Sequence, residues 1–184
     1  MKKYILIAGA NGTGKSTLYR SMDCLKGMPR VNTDEIVRKI GTWENANDLL
    51  QAGKIAIRTI KRYFEEGISF NQETTLCGQS IMNNIEKAQK LGYYIELHYI
   101  GVDSVQIVKD RIAYRVSHGG HGIPERDIER RYQDSLIRLK QMIPLCDCAI
   151  LYDNTQIFNR FAVYEKGKLI SLSEENPQWY KKMQ

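Results

Sequence analysis

Residues 4–17 read Tyr4-Ile5-Leu6-Ile7-Ala8-Gly9-Ala10-Asn11-Gly12-Thr13-Gly14-Lys15-Ser16-Thr17. Gly9 to Ser16 has the P-loop spacing G-x-x-x-x-G-K-S, and the apolar run before it suits a buried parallel strand. Three glycines let the backbone turn tightly, so several N–H groups can face one anion. Lys15 can then reach the β- and γ-phosphates of a nucleotide, and the Ser16 hydroxyl can hold Mg2+. A helix opening here adds its positive N-terminal end. Gly9, Asn11, Gly12, Thr13, Gly14, Lys15, Ser16 and Thr17 are therefore the candidate nucleotide contacts. A plain strand-to-helix turn would not demand Lys15 and Ser16 together.

The 184 residues suit a single domain spanning 1–184. The formal net charge of +6 favours anionic ligands. Without a basic run interleaved with aromatics, nucleic acid is not the favoured partner. Cys24, Cys77, Cys146 and Cys148 show no disulfide framework and no zinc-binding pair of pairs, which fits a reducing cytoplasm. The apolar run after Met-Lys-Lys is too short for a signal peptide, and no stretch is long enough for a membrane span.

Outward from the P-loop, strands alternate with helices. Ser16–Asp23 reads as helix, 29–32 as a short strand, and Thr33-Asp34-Glu35-Ile36 opens a helix broken at Gly41. Glu44–Glu66 is helical, with Leu49, Ala52, Ala56, Ile60 and Phe64 near one face. Ile68–Thr75 reads as strand, Gln79–Leu91 as a helix closed by Gly92, and Tyr93–Ile100 as strand. Asp103–Ser117 carries the stripe Val105, Val108, Ile112 and Val116. After the loop Gly119-Gly120-His121-Gly122-Ile123-Pro124, a helix shows Ile128, Tyr132, Ser135, Leu136 and Leu139 on one face. Cys148–Tyr152 is a buried-type strand, and a hairpin over about 157–173 turns at Lys166-Gly167. This order predicts an α/β fold: a three-layer α/β/α P-loop NTPase domain with a mainly parallel sheet, a small helical lid and a C-terminal hairpin.

In such a sheet, ligands sit at the carboxyl ends of the strands, so the P-loop, Asp34 and Glu73 should share one cleft. Asp34 is a candidate for receiving a hydroxyl proton, or else an acidic residue stabilising a helix start. Glu73 is a candidate for orienting substrate or a metal-bound water, or else a polar loop carboxylate. Arg111 and Arg115, four apart on one helix, precede the Gly-rich loop, and Arg131 follows it. The segment 111–131 therefore reads as a lid able to bring guanidinium groups to a γ-phosphate. His118 and His121 read as residues of a flexible lid tip, and His98 as structural.

Asp110-Arg111-Ile112-Ala113-Tyr114-Arg115, with Arg131-Tyr132, resembles the lid region of adenylate kinases; that resemblance implies Arg111 against adenine and the later arginines on transferring phosphate. Gly9–Thr17, Asn32-Thr33-Asp34-Glu35-Ile36, Glu73-Thr74-Thr75-Leu76, Arg115–Tyr132 and Tyr152-Asp153-Asn154 together resemble the zeta toxin-like kinases, also called predicted ABC-type ATPases. That resemblance implies ATP-dependent phosphorylation of a hydroxyl on UDP-N-acetylglucosamine, with Mg2+ expected at Ser16. It implies Asp34 as base, Lys15 as P-loop lysine, and Arg115 and Arg131 as phosphate-binding arginines. Glu73 and Thr74 are candidate substrate contacts, and an antitoxin protein is a candidate partner. The rivals are a kinase for another small hydroxyl metabolite or antibiotic, and an ATP-dependent switch or nucleic-acid-binding ATPase.

Overall fold

The computed structural model describes residues 1–183. Strands β1 (Lys3–Ala8), β2 (Arg30–Val31), β3 (Phe70–Thr74), β4 (Tyr94–Gly101), β5 (Cys148–Asp153), β6 (Asn159–Glu165) and β7 (Lys168–Leu172) form one sheet in the order β2-β3-β1-β4-β5-β6-β7. The first five pair in parallel and β6 and β7 antiparallel. The helices are α1 (Lys15–Ser21), α2 (Thr33–Ile40), α3 (Ala46–Glu65), α4 (Ser80–Lys90), α5 (Val105–Ser117), α6 (Glu125–Met142) and α7 (Gln178–Met183).

The two-residue period of β1 splits the core. Tyr4, Leu6 and Ala8 pack with Ala56, Ile60 and Phe64 of α3, Ile81 and Ile85 of α4, and Leu139 of α6. Ile5 and Ile7 face the other way, onto Leu18 of α1, Leu25 and Ile100. Burying both faces is why β1 reads as continuous apolar sequence. The register sets Ala8 opposite both Thr74 and Tyr99, so the loops leaving β1, β3 and β4 emerge at one edge.

The expected α/β architecture with helical lid and hairpin is what is found. Asn32 caps α2, its side chain accepting from the N–H groups of Asp34 and Glu35, and Ser104 caps α5. Lys166 and Gly167, at φ 48° and 79°, give the two successive left-handed positions that a two-residue hairpin turn needs. Two stripe assignments change. Leu49, in the first turn of α3, is 43% exposed, and Val116, at the end of α5, is 46% exposed. Each lies near an end of its helix.

Helix α7 was not anticipated from the sequence. At six residues it is too short to show a helical period. It is nonetheless deeply anchored. Trp179 is fully buried, its indole lies where a Cβ on Gly101 would be at 2.3 Å, and its Nε1–H donates to Asp153 Oδ1 at 2.9 Å. Among the described residues no helix is long and apolar enough to cross a membrane.

Candidate active site

The loop after β1 takes its shape from glycine. Gly9, Gly12 and Gly14 have φ of 142°, 77° and 107°, and a Cβ on Gly9 would stand 2.3 Å from the Ile100 carbonyl oxygen. Thr13, itself buried, donates through Oγ1 to the Ala10 oxygen at 3.0 Å. Lys15 folds back over the loop and donates to the Gly9 and Ala10 oxygens, both at 2.9 Å. Burial lowers its pKa, and the carboxylates of Glu73 and Asp34 oppose that shift.

Beside the loop, the end of β3 supplies Glu73, opposite Ile7 in the register. Ser16 Oγ lies 3.4 Å from both Glu73 carboxylate oxygens. Glu73 also accepts from Arg30 Nη2 at 2.5 Å and from Asn32 Nδ2 at 3.0 Å. Arg30 is further bonded to Glu35 at 2.9 Å and lies 3.4 Å from the Tyr19 ring centroid. Thr74 Oγ1 accepts from the Leu76 N–H at 3.1 Å, within a turn where Leu76 has φ 62°.

From the other side, α5 and α6 bring the arginines. Arg131 Nη1 donates to Asn11 Oδ1 of the P-loop at 3.3 Å. Arg115 Nε donates to the His121 carbonyl oxygen at 3.1 Å, while its Nη2 is buried without a partner. Arg111 donates to the backbone oxygens of Asn154 at 2.7 Å and Gly12 at 3.5 Å. It thus bridges the P-loop and the end of β5. Asn154 Nδ2 completes the bridge, donating to the Thr13 oxygen at 2.9 Å.

The Gly-rich loop differs from the sequence-based expectation. His121 is not at a free tip: its side chain is 7% exposed and stacks on Trp43, centroids 4.4 Å apart and planes 4° from parallel. Its Nε2 lies 3.8 Å from Asp34 Oδ2, on a carboxylate that is itself 45% exposed. The glycines serve this docking. A Cβ on Gly120 would stand 2.5 Å from Arg115 Cγ, so the chain can turn back onto α5 only without one. His118, by contrast, is exposed and lies against Tyr114, ring centroids 4.2 Å apart.

Lys15, Ser16, Glu73, Asp34, Arg115 and Arg131 thus gather around one cleft. Arg30 and Trp43 join them without having been singled out, and Asn32 and Asn154, named above only within longer matching segments, join them too. Arg30 sits in a strand of only two residues, which leaves no pattern to read. Trp43 lies between helices, where a lone aromatic gives no periodic signal.

The Zeta toxin family model matches residues 1–168. The chain belongs to the Zeta toxin family. A Haemophilus influenzae protein described as uncharacterized is 36% identical over 130 residues, covering 71% of this chain and 92% of that one. Among solved structures, the AvrRxo1-ORF1:AvrRxo1-ORF2 complex superposes over 100% of this Zeta toxin-family chain with TM-score 0.78 and 16% identity. The same complex solved with ATP gives 0.76 and 15%. This chain spans 63% of the matched AvrRxo1 chain. The Streptococcus pneumoniae PezAT toxin–antitoxin system gives 0.64 at 18% identity, covering all of this chain and 83% of that one. At such identities these likenesses establish the shared fold.

Proposed function

We propose that this chain is an ATP-dependent kinase that transfers the γ-phosphate to a hydroxyl of a small molecule. The observation that carries this reading is the convergence on one cleft of the P-loop lysine, two carboxylates, one from the start of α2 and one from the end of β3, and two arginines from a helical lid. Phosphoryl transfer asks a protein for this: positioning, neutralisation of charge and a proton acceptor.

In this reading the P-loop amides and Lys15 hold the β- and γ-phosphates, Lys15 exchanging the Gly9 and Ala10 oxygens for phosphate oxygens. Arg115 and Arg131 face charge developing on the transferred group, and Arg111 flanks the adenine. Asp34 takes the proton of the acceptor hydroxyl. Thr74, beside Glu73, lines the acceptor side. A switch ATPase needs no such proton acceptor facing a covered space.

Magnesium fits the residues present. Among the described residues, no group of three or more His, Cys, Asp or Glu could hold a metal, so a protein-only cage is not on offer. One hydroxyl with a nearby carboxylate suits an ion that keeps waters and phosphate oxygens as its other ligands. Ser16 would be its direct ligand and Glu73 would hold one of its waters. The ion would neutralise phosphate charge.

UDP-N-acetylglucosamine is the first acceptor to test, from the family's resemblance; a protein antitoxin is the first partner. The test is transfer of radiolabelled γ-phosphate from ATP, screened over UDP-sugars and a panel of hydroxyl metabolites and antibiotics. Labelled product that disappears in Lys15→Ala supports the reading. A folded protein that neither binds ATP nor releases its γ-phosphate to any hydroxyl or to water overturns it.

A further inference from the structure

The stack of His121 on Trp43 puts an imidazole where the kinase reading needs the acceptor. Lid residue and carboxylate face each other, Nε2 to Oδ2, across 3.8 Å. That is too long for a direct hydrogen bond, yet one hydroxyl oxygen beside the pair can reach both atoms at about 2.8 Å. The ring is not free to wander. Trp43 fixes its plane, Arg115 Nε holds its own backbone oxygen, and its side chain is nearly buried.

We propose that His121 is a second acceptor-handling residue of this site: with the lid closed, its Nε2–H and the Asp34 carboxylate bracket the acceptor hydroxyl. The inference rests on the kinase reading of Asp34 and adds a residue to it. The hydroxyl oxygen accepts from Nε2–H with one lone pair and attacks the γ-phosphorus with the other. Its proton passes to Asp34. The bond from phosphorus to the β–γ bridging oxygen breaks, and that electron pair leaves with ADP. His121 keeps its proton throughout.

This role requires a neutral ring, since an imidazolium against Asp34 would remove the carboxylate's basicity. The surroundings favour it. Burial is the largest cause lowering the His121 pKa, followed by the Arg115 guanidinium on α5; Arg38 on α2 acts in the same direction. Asp34 on α2 and Glu44 in the following loop oppose them. Because His121 rides on the Gly-rich loop, the bracket exists only when the loop is docked. Closing the lid and completing the acceptor site are then one event.

Two readouts test this on the full chain. In 15N-labelled protein, which has only three histidines to assign, His121 should hold its proton on Nε2 at neutral pH. It should titrate below the ordinary value of about 6.5, and further below it in Asp34→Asn. In the second readout, Mg-ATP hydrolysis supplies water as acceptor. His121→Ala should lower kcat about tenfold, the effect of one hydrogen bond, and leave ATP affinity within about twofold. His121→Gln, which can donate from a similar place, should recover part of the loss. A proton on Nδ1, or His121→Ala with unchanged kcat, overturns the inference and leaves the kinase reading standing. Wild-type protein that binds ATP but transfers phosphate to neither water nor any hydroxyl overturns both.

Discussion

Asn154 reaches back from the end of β5 to donate to the Thr13 backbone oxygen at 2.9 Å, across 141 positions of sequence. The same Nδ2 lies where a Cβ on Gly14 would come within 2.6 Å. Glycine thus does two things at position 14: it permits φ 107° and leaves room for the amide that holds the loop from outside. The nucleotide loop is fixed partly by its own sequence and partly by the far end of the sheet.

Asn154→Ala should therefore weaken ATP binding without touching any residue of the P-loop motif. Losing one neutral hydrogen bond amounts to about 1 kcal/mol, or roughly fivefold in affinity. Arg111, bonded to the neighbouring backbone, keeps the segment in place and limits the effect. Titration calorimetry with ATP reads it directly. An affinity identical to wild type would show that the loop holds its shape without this tether.

Arg30→Met should destabilise the fold more than any change in the lid. It removes the ion pair from Glu73, whose side chain is only 9% exposed, as is that of Arg30. Breaking a buried pair from one side costs about 3–5 kcal/mol, because it strands a charge. Asn32 still donates to Glu73, which should hold the loss near the lower figure. The double variant Arg30→Met with Glu73→Gln should recover about half of it or more. Urea unfolding of the three proteins decides; a single variant within about 1 kcal/mol of wild type would mean that the charge finds solvent.

The parts of this molecule that could be read from sequence are those whose physics is local. The P-loop declares itself because spacing, glycine conformation and the preceding strand lie within 14 consecutive residues. Helices α3 and α6 declare themselves because one face meets the core over several turns. The cleft was also legible in outline, since parallel strands deliver Lys15, Asp34 and Glu73 to one edge. What was not legible depends on contacts made across the fold. Arg30 acquires its role only when β2 pairs with β3, and Trp179 only when α7 folds over Gly101. His121 looked like a loop residue because nothing near it in sequence predicts Trp43 as its partner. A Gly-Gly pair suggests mobility; here it also permits a close approach to Arg115.

Stability should fall with acid in a way that depends on His121. Its folded pKa lies below its ordinary value, chiefly through burial. The unfolded chain then binds more protons, so the contribution is fully present above about pH 6.5 and is lost as pH falls toward the folded pKa. Melting temperatures from pH 8 to pH 5 should drop more steeply for wild type than for His121→Ala, since the remaining groups are common to both. Parallel curves would show that the ring is free to take a proton while docked.

Asp34→Asn separates chemistry from binding. Asp34 stands in the first turn of α2, behind the Asn32 cap, and faces His121 across the space assigned to the acceptor. The amide keeps the size of the side chain and loses both its charge and its basicity. If Asp34 receives the acceptor proton, turnover should fall by about 10²-fold or more, the scale for removing one acid–base group. ATP affinity should barely move, because the loop amides and Lys15 bind the phosphates elsewhere in the cleft. If Asp34 only complements the positive start of α2, the cost is instead about 0.3–1 kcal/mol of stability, with the rate intact. If ATP binding collapses solely in the presence of magnesium, the carboxylate belongs to the metal's surroundings, and Glu73 becomes the residue that orients the acceptor. Three measurements on this one variant tell these outcomes apart: transfer rate, ATP affinity with and without magnesium, and melting temperature. A rate unchanged from wild type would remove Asp34 from the chemistry altogether.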